Sequence, residues 1–596
     1  MGRFVLLFVT LVAFYAHCSA FHQWGTPLTE CAREDYVFKR PKISQKCIGK
    51  EQVYSKAAVA CESTACSRVG RNMLKRGGHA VDATIAVLLC LGVVNGESSG
   101  VGGGLMMTIY DRETKKAHAL DGREVAPAAA VNNSAFTNDP NNTIYGAKSI
   151  GVPGVVAAMK EAHTKFGLLP WASLFEPAIK MCEQGFPLSF NEADALTQKD
   201  LSNHTYRSAV KRDPAFMAVF LNKRTGEAKT EGETFYCRNL ATTYRLLRND
   251  ADFYTGPLAA KIVSEIQAKG GLLSLDDLKN YRAVWREPLF GDVAGHKYIT
   301  TPVPSSGGFV PIMFNVLKGF NMTESDLRKG PEQLALKLHR FIETCKFAYA
   351  KRVLLGDTKG SREYLKTLMT KEFADETRSK INDDMTFANR SYYGKDIPDQ
   401  RMKHSTSHVS ILDQYGNAVS TTTSINMHFG SGVIGAETGI IYNNVMNDFS
   451  FPNGENLFGF EPTSSNYVKV NKRPMGTLAP FVMVDRNDDV TVVGGASGGG
   501  KILSTVVSVL QEMFIFNKGL KEAVDAERIH SQWIPTSSFI SAGFTKYKEA
   551  IDILVKKGHT MHYYCFIPSG FHGIYVKSGH VHAYTDAKKF GCPAGF

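Results

Sequence analysis

"KHSTSHVSILDQYGNAVSTTTSIN", Lys403 to Asn426, carries nine Ser or Thr residues and two His in twenty-four positions. The pattern predicts a β-hairpin. Val409 and Ile411 lead into "DQYGN", Ala418 and Val419 lead out, and Gly416 and Asn417 tolerate the positive φ of a tight turn. Ser and Thr are common on the exposed faces of strands, so the hydroxyls have a purely structural reading. The chemical reading asks which of them is a nucleophile and what takes its proton.

Working outward, the C-terminal third continues to alternate apolar and polar residues, as in "TGIIYNN", "APFVMVD" and "DVTVVGG", which read as strands at hairpin spacing. Two helical stretches, "KILSTVVSVLQEMFIF" and "LKEAVDAERIH", interrupt them. The region before Lys403 is mostly helical. "GGHAVDATIAVLLCLGVVN" is apolar almost all round, as a buried helix is. Val156 to Arg282 carries amphipathic runs, and Pro331 to Asp357 reads as one long amphipathic helix opened by a Pro. Helices early and strands late predict an α+β body of layered αββα type, with no Pro-rich or Ser-rich linker and no internal repeat.

The 596 residues are 43% hydrophobic and 21% charged, ordinary globular proportions. The net charge of +12 is scattered, with no basic run of the kind that makes a nucleic-acid arm. "MGRFVLLFVTLVAFYAHCSAFHQ" reads as a signal peptide, residues 1–20, with small residues at Cys18-Ser19-Ala20 and an apolar run too short to span a bilayer. A secreted chain is therefore expected, with an uncleaved anchor on the outer membrane face as the alternative. Sequons at Asn132, Asn141, Asn203, Asn321 and Asn389 suit that route. So do the ten cysteines left after Cys18, an even number in an oxidising compartment. No CxxC or HExxH occurs, and His559, His562, Cys565, His572, His580 and His582 read as polar positions on strands, so no metal is expected.

Two glycine loops stand out. "GASGGGKI" follows the strand "VTVV" and nearly matches a phosphate-binding loop, but Ile502 stands where magnesium needs a hydroxyl. A Gly-Gly turn at a helix start has another use, which is to present backbone N–H groups to an oxyanion. "SSGVGGG", Ser98 to Gly104, follows a helix and reads as tight packing beneath it.

Taken in order, these blocks resemble the γ-glutamyltransferase (glutathione hydrolase) family. Those that carry the likeness include "SSGVGGGLMMTIYD", "LDGREVAP", "PSSGGFVPIMFNVLKGFN", "FAYAKRVLLGD", "TSHVSILDQYGNAVSTTTSIN", "GIIYNNVMNDFS", "NKRPMGTLAPFVMV" and "GGASGGGKI". The likeness runs collinearly from about Ser55 to Phe596. It implies a four-layer αββα sandwich of the N-terminal-nucleophile hydrolase type, made as one chain that cuts itself between Ser405 and Thr406. A large subunit, residues 21–405, and a small subunit, residues 406–596, would result. The reaction implied is transfer of the γ-glutamyl group of glutathione or related compounds to water, an amino acid or a dipeptide, without a cofactor. A Thr hydroxyl needs a base beside it, and the cut supplies one on the same residue. The freed α-amine has a pKa of about 7.7 to 8.0 and is partly neutral near physiological pH.

By the same resemblance Gly498 and Gly499 form the oxyanion hole and Ser424 supports Thr406. Arg123 grips the donor α-carboxylate, where a planar fork suits two oxygens. Asn426 and Asp448 surround the α-amine and carboxylate. The family's disulfide between the first two helices falls on Cys66 and Cys90, while a second family pair finds only Cys237. Two departures thin the donor site: Val445 replaces an acidic or amide residue facing the amine, and Gly476-Thr477 replaces a Ser pair at the carboxylate. Each lost hydrogen bond to a charged group costs roughly 1.5 to 3 kcal/mol, so donor binding is expected to weaken by about a hundredfold or more. The alternative is a secreted homologue that binds a γ-glutamyl compound or a partner with little turnover.

Overall fold

The structure, a computed structural model, describes residues 45–131, 136, 139–197, 213–394, 405–450, 463–564 and 569–596. The signal segment, Asn132, Asn203 and Cys565 lie outside the described residues. Asn141, Asn321 and Asn389 are all exposed. Among the described residues no helix is long and apolar enough to cross a membrane.

From Ser405 to Asn426 the quoted stretch forms the expected hairpin, and it sits in the middle of a seven-stranded antiparallel sheet. In spatial order its strands are β14 (Ala594–Gly595), β2 (Ala58–Cys61), β8 (Ser405–Leu412), β9 (Ala418–Asn426), β3 (Gly104–Asp111), β4 (Lys116–Gly122) and β5 (Val284–Arg286). Asp413 Oδ1 accepts from the N–H groups of Tyr415 and Asn417 to close the turn, and Gly416 takes φ 87°. A second antiparallel sheet lies against the first. Its order is β1 (Gln52–Tyr54), β13 (His580–Thr585), β12 (Gly570–Lys577), β11 (Val490–Ser497), β10 (Phe481–Val484), β7 (His296–Thr300) and β6 (Leu289–Val293).

Helices cover both outer faces. Against the first sheet pack α1 (Thr64–Lys75), α2 (Ala80–Val94), α3 (Val155–Phe166) and α4 (Trp171–Gln184), sharing one core with Val409, Ile411 and Val419. Against the second pack α5 (Phe309–Lys318), α6 (Pro331–Arg352), α7 (Ile502–Phe514) and α8 (Lys548–Lys556). Every residue of α2 is buried, as its all-round apolar sequence requires, and a capping box of His79 and Asp82 satisfies its first N–H groups. The α+β sandwich of four layers, αββα, is the architecture expected from the sequence.

The hydroxyls of β8 and β9 are not on an exposed face. All the residues of both strands are buried, and alternation sorts them. The odd-numbered Val409, Ile411 and Val419 face the helices, while His408, Ser410, Ser420 and Thr422 enter the layer between the sheets. There each finds a partner: Ser410 donates to His572 O and Ser420 to Gly494 O, both at 2.9 Å, and Thr422 Oγ1 meets His408 Nδ1 at 2.9 Å. Ser420 also accepts from Phe481 N–H. Hydrogen bonds across the sandwich thus make a polar inter-sheet layer tolerable.

Two disulfides tie the body. Cys66–Cys90 joins α1 to α2 with Cα atoms 5.5 Å apart, as the family likeness implied. Cys47–Cys592, with a sequence separation of 545, joins the start of the described chain to its finish. Beside it β14 pairs with β2, and Phe596 O accepts from the N–H groups of Lys56 and Ala57. Cys237 does have a neighbour. Its N–H donates to Cys182 O, and the two buried thiols lie against each other, although the sequence around Cys237 pointed to none.

The histidines of the C-terminal third are dispersed. His572 lies 3.4 Å from Glu62 and His582 lies 3.2 Å from Glu51. His559 joins a group that its sequence surroundings did not suggest, in which its ring nitrogen, His339 of α6 and Glu343 lie within 4.8 Å of one another. His339 Nε2 donates to the carbonyl of Asn382, so its Nδ1 is the acceptor facing His559 Nε2 at 2.8 Å. Glu343 already accepts from Lys346, Thr386 and Tyr393. Lys346 neutralises the carboxylate and the imidazoles bond each other, which makes this a buried network clamping α6 to the loop after α8.

Burial pushes the His559 pKa down to about 2 and lowers that of His339. Between the ordinary value near 6.5 and the depressed one the unfolded chain binds the extra proton, so the contribution to stability is full above about pH 6.5 and shrinks as pH falls. His559→Gln should therefore destabilise the protein at pH 7, with the gap from wild type narrowing by about 2 kcal/mol by pH 5. Urea unfolding of both proteins at the two pH values checks this; a constant gap would show that His559 is not held neutral.

Candidate active site

Thr406 lies near the start of β8, where the register with β9 slips between Ser405 and Ser407. An irregularity of this kind re-aims a side chain locally. Thr406 Oγ1 is 3.3 Å from Ser424 Oγ on the neighbouring strand. The Ser424 hydroxyl donates to the carbonyl oxygen of Ser405 at 2.5 Å and accepts from Asn426 N–H at 2.8 Å. Its proton is committed to that carbonyl, so Thr406 is the donor in the Thr406–Ser424 bond. One hydroxyl thus touches both the candidate nucleophile and the peptide carbonyl immediately before it.

Ser405 is held from the other side as well. Its hydroxyl hydrogen-bonds Ser98 Oγ, and Ser98 donates to Glu97 Oε1 at 3.0 Å. Burial pushes the Glu97 carboxyl up to about 7. The "ESSG" loop is therefore more than packing beneath α2. The sequence signal was faint: a Glu and two Ser before a glycine run, with nothing to say that they meet Ser405.

A cavity partly open to solvent lies beside Thr406 and brings most of the candidate residues together. Thr406, Ser424 and Gly499 line it. Arg123, Asn426, Asp448, Gly476 and Thr477 line it too. Arg123 reaches it from the loop after β4, with its N–H anchored on Asp121 and its Nε 3.4 Å from Pro474 O. The guanidinium bonds Glu124 at 3.3 Å and Asp448, so the structural ion pair and the cavity cation are the same residue. Burial raises the Glu124 carboxyl to about 7 against the opposing pull of Arg123. Asn426 takes φ 79°, a left-handed conformation that Asn tolerates, and its Nδ2 donates to Asn444 O.

Two candidates stand elsewhere. Gly498 adjoins the cavity through Gly499 without lining it. Its φ of 118°, followed by 61° at Gly499, turns the chain from β11 into α7, a path that needs glycine. Val445 is fully buried and does not line the cavity. Its backbone N–H is pinned by Asn443 Oδ1 at 3.0 Å, and its Cγ1 packs so closely on Gly151 that a Cβ added there would lie 2.3 Å away. Val445, expected beside the donor amine, has its side chain turned to the Gly151 backbone.

Met475, Leu478 and Arg352 also line the cavity. Arg352 was hidden in sequence because a basic residue in the last turn of a helix is unremarkable.

The family model described as Gamma-glutamyltranspeptidase matches residues 66–596. The protein named Scoloptoxin SSD14 from Scolopendra dehaani is 35% identical over 531 residues, 88% of this chain and 90% of its own length. The protein named Glutathione hydrolase proenzyme 1 from Schizosaccharomyces pombe is 34% identical over 548 residues, 90% of this chain and 84% of its own. Among solved structures, the cephalosporin acylase from Bacillus halodurans superposes with a TM-score of 0.77, covering 93% of this chain and 98% of its own. Its 23% identity makes that a likeness of fold.

The near-match to a phosphate loop has a different physical cause. Gly495 is a strand residue of β11, paired with His572 of β12. A Cβ there would lie 2.3 Å from His408 Cε1 in the inter-sheet layer. Gly495→Ala should therefore overpack the sandwich beneath Thr406 and lower stability by about 1–3 kcal/mol. Chemical unfolding measures it; unchanged stability would mean that His408 does not press on this glycine.

Proposed function

The chain belongs to the gamma-glutamyltranspeptidase family of enzymes, and we propose that it is a secreted γ-glutamyl transferase and hydrolase that matures by cutting itself between Ser405 and Thr406. The observation that carries the reading is the Ser424 hydroxyl, shared between Thr406 Oγ1 and the Ser405 carbonyl. Attack of Thr406 Oγ on the Ser405 carbonyl carbon forms a tetrahedral centre whose oxyanion the Ser424 hydroxyl stabilises. Collapse breaks the C–N bond, the proton passes to the Thr406 nitrogen, and water hydrolyses the resulting ester. The fission-yeast relative carries the word proenzyme in its name, in keeping with such a step.

Maturation converts an amide nitrogen into an amine on the nucleophilic residue, so the uncut chain lacks its base. His408 does not replace it. Its nitrogens bond Thr422 and Ser410 and burial holds its pKa well below the ordinary value. In the cut form the α-amine takes the Thr406 proton as Oγ attacks the γ-carbonyl of the donor. The oxyanion is met by backbone N–H groups at Gly498 and Gly499, and the departing amine takes the proton back. Water or an amino-acid or dipeptide amine then resolves the acyl-enzyme.

The Arg123–Asp448 pair suits a zwitterionic head group by exchange of partners. The donor α-carboxylate replaces Asp448 on Arg123 while the α-ammonium replaces Arg123 on Asp448, so no charge is left unpaired. Asn426 and Thr477 supply neutral polar groups beside them. Glutathione fits this chemistry and the names of the relatives. The exposed sequons and the two disulfides suit a secretory route.

The cut would leave residues 21–405 and 406–596 joined through Cys47–Cys592. Purified protein should run as one species without reductant and as two with it, the smaller beginning at Thr406. Thr406→Ala should give a single uncut chain without γ-glutamyl anilide turnover, and Thr406→Ser should retain some of both. A different N-terminus, or turnover by the Ala variant, overturns the assignment; two fragments without reductant overturn the bridge alone.

Gly476 is the departure that touches the cavity. A Cβ there would lie 3.4 Å from Arg123 Cζ and 2.5 Å from Leu478 Cδ1, the end of a side chain that can turn away. Gly476→Ser places a hydroxyl beside the carboxylate site and should raise kcat/KM for γ-glutamyl donors about tenfold, equal to roughly 1.4 kcal/mol of added transition-state binding. Initial-rate kinetics on fully cut protein checks it; an unchanged or lower value removes Gly476 from donor recognition.

A further inference from the structure

Four arginines are buried among the described residues: Arg123, Arg352, Arg473 and Arg528. Three of them have carboxylates. Arg123 meets Glu124 and Asp448, Arg473 meets Asp121 at 3.2 Å, and Arg528 meets Asp586 at 2.5 Å. Among the described residues no carboxylate lies within the 4.0 Å of an ion pair from Arg352. A buried guanidinium cannot relieve its desolvation by losing a proton, so it depends on dipoles or on an anion brought from outside.

Arg352 is the last residue of α6 and lines the same cavity as Arg123, Thr406 and Asp448. Its Nε donates to Ser306 Oγ at 2.8 Å, and that hydroxyl donates onward to Gly476 O at 2.6 Å. The orientation of the fork is thereby fixed by a residue outside the helix. A Cβ on Gly476 would lie 3.4 Å from Arg123 Cζ, and the Gly476 carbonyl is linked to Arg352 through Ser306. Arg123, Arg352 and Asp448 are the charged residues that line this cavity, with Glu124 against Arg123, so an entering carboxylate meets two guanidiniums of which only Arg123 already holds carboxylates.

We propose that Arg352 is a second guanidinium for the carboxylate of the bound head group, acting beside Arg123 and aimed by Ser306. The proposal rests on the γ-glutamyl reading of the cavity and adds a specificity-determining residue to it. Arg123 exchanges Asp448 for the incoming carboxylate, whereas Arg352 gives up no carboxylate to bind one.

The competing role is structural, since a cation at a helix C-terminus also offsets the helix dipole. Inhibition constants of L-glutamate and of its α-carboxamide, isoglutamine, separate the two roles because only the first carries the α-carboxylate. They are measured against γ-glutamyl anilide turnover on cut wild type, Arg352→Gln and Arg352→Lys. Arg352→Gln should weaken glutamate by about tenfold or more while changing isoglutamine by less than about twofold and kcat by less than about threefold, the pattern of lost ground-state binding. Arg352→Lys keeps the charge without the fork and should weaken glutamate by about threefold, again sparing isoglutamine.

Equal losses for both compounds, or no loss for either, overturn the assignment of Arg352. If Arg352→Gln does not yield cut protein, the Lys variant decides by the same comparison. Wild type that turns over no γ-glutamyl anilide and binds glutamate no better than isoglutamine overturns the γ-glutamyl reading itself.

Discussion

A hydroxyl placed between two buried sheets must find a hydrogen-bond partner there, and at Ser424 that partner is the carbonyl of Ser405. Much of the site follows from this bond. It brings the end of β9 against the start of β8, coincides with the irregularity in their register, and leaves Thr406 Oγ1 within reach of the same hydroxyl. Ser410 and Ser420 obey the same rule farther along the strands, where their bonds hold the two sheets together, and Thr422 is met by His408 within its own sheet. The sandwich and the reacting centre are thus two parts of one polar layer, differing only in what each hydroxyl meets.

Charge organises the cavity as hydrogen bonding organises the strands. Arg123 is neutralised by Glu124 and Asp448, and the neighbouring Arg473 and Arg286 share Asp121. Low dielectric makes each of these partners matter, because removing one strands the other. Exchange of partners is the inexpensive way for a zwitterion to enter such a site. Arg352 stands apart from this pairing, linked to Ser306 and through it to the carbonyl of Gly476.

The closure of the chain ends bears on the proposed cut. β8 lies inside its sheet, between β2 and β9, and β2 is paired in turn with the C-terminal β14. Cys47–Cys592 fastens the same corner covalently. A break before Thr406 would free one strand end while leaving the ladder on both sides of that strand intact, so a new N-terminus could form without loss of the sandwich.

The sequence by itself determined the layers. Alternation in β8, β9, β10 and β11, the all-round apolar α2 and the long helix ending at Arg352 are short-range patterns, and each yielded the element it announced. The hairpin turn was legible from "DQYGN", and the collinear blocks named the family and with it the candidate nucleophile. Tertiary structure alone decided which face of the hairpin was wet. Ser and Thr strands read as exposed, yet a second sheet covers them, and only the cross-sheet acceptors make that burial tolerable. It also decided partners remote in sequence: Ser98 on Ser405, His339 on His559, Cys47 on Cys592 and Cys182 beside Cys237. It turned Val445 toward Gly151 and brought Arg352 to the cavity. Periodicity records how a residue sits relative to its neighbours in the chain, whereas hydrogen bonds, ion pairs and close packing depend on which distant element arrives opposite, and that is settled only when the sheets close.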